Sequence, residues 1–214
     1  MILDIPYNTQ IDNAVGRYGQ GQITVGPSAQ CGYNMQCHVM YPLTHDASDA
    51  WVARYVGSLE NTISPDALGT MVKASMGWYW IDPRTKAYLP NRRVGAAINA
   101  HALACEIMAV QIDPSISVVM RAQGNRDEIC RAIDGGSPVG IFTQLTPSGH
   151  FIALIGYEHT ANGLVFVAHD SYGNFYPSWN PQSLGKGASV RYPADWLLSR
   201  LPGGWGWYYY WKRS

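Results

Sequence analysis

The spacing of apolar residues changes roughly halfway along the chain. From Cys31 to about Ala109 it is mainly helical. Trp51, Val52, Tyr55, Val56 and Leu59 fall at i, i+3 and i+4, Ser64 with Pro65 has the form of a helix start, and Val94 to Val110 reads as an Ala-rich helix with Cys105 on its inner face. Beyond Asp113-Pro114 the pattern shortens. Ile116 to Met120 reads as a strand and Asn125 to Ile133 as a short helix, with Asn125 and Glu128 in a capping-box relation and Gly135-Gly136 at its end. Strands are then predicted at Pro138–Leu145, His150–Glu158, Leu164–Asp170 and Trp205–Trp211, with a helix at Asp195–Arg200 before the last. Both alternating sets of His150–Glu158 are apolar, which predicts a central strand covered on both faces, and Asn162-Gly163 predicts a hairpin to the next strand. Helices first and an antiparallel sheet afterwards predict an α+β fold.

Composition narrows the function classes. Fifteen Lys and Arg balance fifteen Asp and Glu, so the chain lacks the basic surplus with which a nucleic-acid binder neutralises phosphates. With 47% hydrophobic residues it is not a disordered chain, and 214 residues suit one domain spanning 1–214. Every apolar run is broken well short of a membrane-spanning length, so membrane insertion is not expected. The start, MILDIPYNTQ, lacks the basic, apolar and small-residue zones of a secretory signal, which predicts cytoplasmic synthesis without a signal peptide. Four cysteines, Cys31, Cys37, Cys105 and Cys130, are too few for a disulfide framework.

One cysteine has a setting that suggests chemistry. Cys31 follows a candidate long loop, Gly16 to Ala29, and precedes a helical segment, so it sits at a helix N-terminus where unpaired N–H groups and the helix dipole favour a thiolate. Cys37 is the alternative nucleophile, but it falls inside that helix. Cys105 and Cys130 read as core or structural residues. His150 opens a rigid strand, and the hairpin through Asn162-Gly163 brings it beside Asp170 at the end of the next strand, where an acid can fix the imidazole tautomer. Asp170 also has the form of a turn-initiating residue. Gln10 is a candidate oxyanion donor. Cys31, Cys37, His38 and His45 match no usual zinc spacing, so no metal or cofactor is expected; His38 reads as a helix-surface residue and His45 as a loop residue. The aromatic end, GGWGWYYYWKRS, suits a sugar-binding face, a membrane-surface contact or a final edge strand packed on the helical layer, and the packing role is favoured.

The stretches IPY-x-x-Q-x-DN, GSPVGIFTQLTPSGHFIALIGY and HDSYGN together resemble the bacteriocin-processing (double-glycine leader) peptidase-like branch of the papain-like cysteine peptidases. The resemblance implies a papain-like fold, with Cys31 as nucleophile, His150 as general base and acid, Asp170 as orienting acid and Gln10 as oxyanion donor. The chain departs from the family pattern after the cysteine, where Gly32-Tyr33-Asn34-Met35 stand in place of Thr-Ser, and at His169-Asp170-Ser171 in place of Asn-Asp-Pro. The expected function is a monomeric cysteine peptidase acting on a peptide or on peptidoglycan, of the phage endolysin kind. An acyltransferase, a protein-processing protease and an inactive binding module remain the alternatives.

Overall fold

A computed structural model describes residues 1–12, 16–18, 23–25, 31–46, 80–81, 88–89, 105, 109, 112–201 and 207–213. The helices expected at Trp51–Leu59 and after Ser64 lie outside these residues. Of Val94 to Val110, Cys105 and Ala109 are described; both are helical and fully buried.

The alternation of the second half produces a six-stranded sheet whose neighbours are all antiparallel. Its strands are β5 (Ile116–Ala122), β6 (Val139–Thr143), β7 (His150–Thr160), β8 (Gly163–His169), β9 (Val190–Pro193) and β10 (Trp207–Arg213), in the order β5-β10-β6-β7-β8-β9. The α+β reading is therefore borne out by a helix-and-sheet architecture. Two short pairs precede the sheet. Gly16–Tyr18 (β1) pairs with Ile23–Val25 (β2), so the segment expected to be one long loop contains a hairpin. Trp80–Ile81 (β3) pairs with Tyr88–Leu89 (β4) inside the stretch expected to be mainly helical. In both places cross-strand hydrogen bonding prevails over a sequence pattern too short to announce it.

Helices cover both faces of the sheet. Helix α2 (Arg126–Asp134) starts as expected, with the Asn125 side chain accepting from the Glu128 N–H at 3.0 Å, and it buries Ile129 and Ile133 against Ile141, Ile152 and Leu154. On the opposite face Ile155 and Val167 pack with Ile5 and Tyr41, the latter on helix α1 (Cys31–Thr44). Strand β7 is thus central and covered on both sides, as its two apolar sets require. The β7–β8 register pairs Thr160 with Gly163 and Ala153 with His169, and it shifts by one residue between Leu154 and Gly156. A third helix, α3 (Ala194–Leu198), follows β9 directly.

The aromatic end is not an edge strand: β10 lies between β5 and β6. Its two faces serve the two helices. Tyr209 donates its hydroxyl to Gln36 and the Trp211 indole N–H donates to the Val39 carbonyl at 2.9 Å, both on α1. On the other face Tyr208 and Tyr210 stack and donate to the Glu128 carboxylate of α2 at 2.9 and 2.8 Å. Burial acts to raise the Glu128 pKa, but the two hydroxyls and Arg121, 3.1 Å away, outweigh it and hold the group below its usual 4.5. A carboxyl depressed on folding stabilises the fold above its unfolded value and loses that stabilisation as pH falls through the folded value. Glu128→Gln is expected to lower the unfolding free energy by about 1 kcal/mol at neutral pH and to flatten its decline below pH 4.5, read by urea titration across pH.

Candidate active site

Three elements converge on the start of β7. Thr143 and His150 are directly opposed at the end of the β6–β7 pair, which places His150 at the sheet margin, with the Thr143 hydroxyl donating to the His150 carbonyl at 3.0 Å. The His150 ring is buried, and its Nε2 lies 2.8 Å from Asp170 Oδ1. The Cys31 thiol, on the first residue of α1, also interacts with the His150 ring and acts to raise its pKa. Cys31 itself is half-buried.

Asp170 is wholly buried and its carboxylate is saturated with donors. Oδ1 accepts from His150, from Tyr172 N–H at 3.0 Å and from Gly173 N–H at 3.2 Å; Oδ2 accepts from the Tyr192 hydroxyl at 2.8 Å. The turn-initiating role and the contact with histidine therefore coexist in one side chain. Gly173 makes the turn with φ of +134°, and a Cβ there would sit 2.4 Å from the Ser183 carbonyl oxygen. Burial and the Asp170 charge both push the Tyr192 hydroxyl up, so it remains a donor.

Gln10 is fully buried beside this turn. Its Oε1 accepts from the Ser171 hydroxyl at 2.5 Å, which turns the amide NH2 away from Ser171. Thr9 donates to the Ser171 carbonyl at 2.9 Å, and the Tyr7 hydroxyl accepts from Gly187 N–H at 3.1 Å while lying 3.2 Å from the Asp170 carbonyl. Sequence reasoning missed Ser171, Tyr7 and Tyr192. The first two sit inside the stretches quoted for the family resemblance; Tyr192 lies on a strand too short to leave a pattern.

The other candidates separate from this centre. Cys37 and Cys105 are buried, Cys105 donating to Met40 Sδ at 3.2 Å, and Cys130 is half-buried on α2. His38 is not on the helix surface: it is fully buried, its Nε2 accepting from Asn8 N–H at 3.1 Å and its ring 4.9 Å from that of His169. Burial holds both imidazoles below the usual histidine value, and each neutral tautomer is pinned, His169 Nε2–H donating to the Ile5 carbonyl at 2.7 Å while Nδ1 accepts from Ser189 N–H. Polar partners deep in the α1 packing thus make His38 an interior residue. His45 is exposed just past α1. Among the described residues no three His, Cys, Asp or Glu side chains gather as a metal site.

The electrostatics of His150 are opposite to those of the buried pair. Burial acts to lower its pKa, but the Asp170 charge, the Asp170 hydrogen bond and the contact with Cys31 together push it up to about 10. A histidine raised on folding stabilises the fold fully below its unfolded value near 6.5 and loses that contribution as pH climbs toward about 10. The ring is therefore expected to stay protonated through neutral pH in an NMR titration, and Asp170→Asn to lower its midpoint by about one to three pH units.

A family model described as "Peptidase_C39 like family" matches residues 40–189. The matched span contains His150 and Asp170 and begins after Cys31. No curated protein and no solved structure gives a match to the chain. Because the model covers more than half of the sequence, the chain belongs to the Peptidase_C39 like family, which is one of cysteine peptidases.

Proposed function

We propose that this chain is a single papain-like catalytic domain that hydrolyses peptide bonds with Cys31 as nucleophile, His150 as general base and acid, Asp170 as the orienting group and Gln10 as an oxyanion donor. The observation that carries the reading is the buried His150–Asp170 pair at 2.8 Å, with the half-buried Cys31 thiol interacting with the same imidazole. Transfer of the thiol proton to the imidazole gives the thiolate, which is the nucleophilic form. The thiolate adds to the carbonyl carbon, and the Gln10 amide with the Cys31 backbone N–H stabilises the resulting oxyanion. His150 Nδ1–H gives its proton to the departing amine as the C–N bond breaks, leaving a thioester. Water then loses a proton to His150 and attacks the thioester, the C–S bond breaks, and the thiolate–imidazolium pair is restored.

Peptidoglycan cross-links or stem peptides are the substrates proposed within this class, cleaved in the manner of an endolysin. The chain's zero formal charge means that attraction to an anionic wall does not supply the recognition, which falls to the cleft.

Three experiments test the assignment. Iodoacetamide at neutral pH is expected to alkylate Cys31 selectively by peptide mapping, since Cys37 and Cys105 are buried and burial together with Asp134 and Asp127 pushes the Cys130 thiol up. Cys31→Ala is expected to abolish turbidity clearance of purified cell walls and release of new peptide amines; equal turnover by this variant overturns the nucleophile assignment. Gln10→Ala is expected to lower kcat by about 10²-fold while Cys31 still alkylates at the parental rate, which separates oxyanion stabilisation from thiolate formation.

A further inference from the structure

The fifteen residues that follow Asp170, Ser171 to Gly185, include no charged side chain and no histidine. They do include four aromatic rings, and three of these form one continuous feature. Phe175 and Tyr172 pack directly on His150, with ring centroids 5.4 and 6.0 Å away. Trp179 lies against both, at 6.3 Å from Phe175 and 6.1 Å from Tyr172, and Phe175 and Tyr172 are themselves 6.2 Å apart. All three planes agree within 28°. Near-parallel rings at these separations are displaced sideways rather than stacked face to face, so they form a terrace. Exposure rises along it. Phe175 is 6% exposed, Tyr172 is half-buried and Trp179 is 42% exposed.

The terrace is already built. Phe175 N–H donates to the Tyr192 hydroxyl at 3.2 Å, Asn174 N–H donates to Ser183 Oγ at 3.0 Å, and the Asn180 side chain caps the 3-10 turn Pro181–Ser183 by accepting from Gln182 N–H. Of the six exposed large apolar side chains among the described residues, three, Tyr176, Trp179 and Leu184, stand on this segment. Apolar surface concentrated beside a reactive centre marks a binding face.

Its position selects the part of the substrate it meets. The inference rests on the reading of Cys31 as nucleophile and His150 as proton donor. His150 stands beside the departing amine, so rings packed on His150 flank the leaving-group side of the scissile bond. We propose that the Tyr172–Phe175–Trp179 terrace is a leaving-group subsite that accepts a flat, uncharged aromatic side chain of the residue following the cleaved bond. The absence of charge disfavours acidic or basic side chains, and an offset aromatic contact supplies the attraction.

The subsite can be tested without the natural substrate, because an amine that attacks the acyl-enzyme enters where the leaving amine departs. The amine nitrogen adds to the thioester carbonyl, its proton passes to His150, and the C–S bond breaks to give an amide and free Cys31. Acetylglycine p-nitrophenyl ester serves as acyl donor, with the nitrophenolate burst counting competent sites. Tryptophan amide, phenylalanine amide, alanine amide and aspartate amide compete with water, and the amide products are weighed by mass spectrometry. Tryptophan and phenylalanine amides are expected to capture the acyl group about tenfold more efficiently than alanine amide. Trp179→Ala is expected to bring that ratio within about twofold of unity, and Trp179→Phe to keep most of it. Equal capture of all four amines, or a preference unmoved by Trp179→Ala, overturns the subsite. A burst that survives Cys31→Ala instead overturns the nucleophile assignment. Binding is measured independently by following the Trp179 indole N–H in NMR spectra of the Cys31→Ala protein during titration with tryptophan amide. A shift absent with alanine amide supports the subsite, and no shift with tryptophan amide overturns it.

Discussion

The buried Asp170 carboxylate is the constraint on which the rest of the site depends. A carboxylate removed from water is costly unless its oxygens are fully engaged, and here the four donors come from three structural sources. His150 reaches it from the beginning of β7, Tyr192 from β9, and two backbone N–H groups from its own turn. Satisfying the charge therefore fixes the spacing of three strands' ends and the path of the following loop. Gly187 completes the enclosure. Its Cα passes so close that a Cβ would lie 1.6 Å from the Asp170 carbonyl oxygen, and its own carbonyl accepts from Asp170 N–H at 2.9 Å. The same charge that holds these pieces together pushes the His150 pKa up, so the packing of the turn and the electrostatics of the imidazole draw on one interaction.

The N-terminal segment braces this centre from outside the sheet. Leu3 N–H donates to the Ile155 carbonyl, the Ile5 carbonyl accepts from His169, and Tyr7, Thr9 and Gln10 bind the backbone or side chains of residues 170, 171 and 187. Ser171 has a particular place in the brace. Where the resembling peptidases have proline, this chain has a hydroxyl, and that hydroxyl fixes which end of the Gln10 amide faces it. The departure from the family pattern thus acquires a physical reason.

Much of the second half was legible because its signals are local. Asn125 caps α2 as the capping pattern requires, the strands from Val139 to His169 follow the apolar runs, and Asp170 follows β8 in a turn whose glycine is visible in the sequence. What was not legible depends on contacts distant along the chain. His38 occupies a helix that buries polar as well as apolar residues, Asn34 and Gln36 among them, so polarity misreads its inner face as outer. Tyr192 stands on a four-residue strand recognised by its pairing with β8 rather than by any pattern of its own. The placement of β10 inside the sheet likewise follows from pairing partners nearly a hundred residues earlier in the case of β5.

The register shift at Ile155 has a consequence beyond local geometry. Directly opposed residues of two strands share a face, and successive residues alternate. Ahead of the shift Ala153 opposes His169, so Asp170 falls on the face of Ile152 and therefore of His150. Had the regular register set by Thr160 and Gly163 run on unbroken, Asp170 would oppose Ala153 and point to the face opposite His150. One supernumerary residue in an unremarkable apolar run thus decides the parity of the strand. The meeting of acid and imidazole is a matter of odd or even count along the chain, a property carried by neither residue nor by any motif around them.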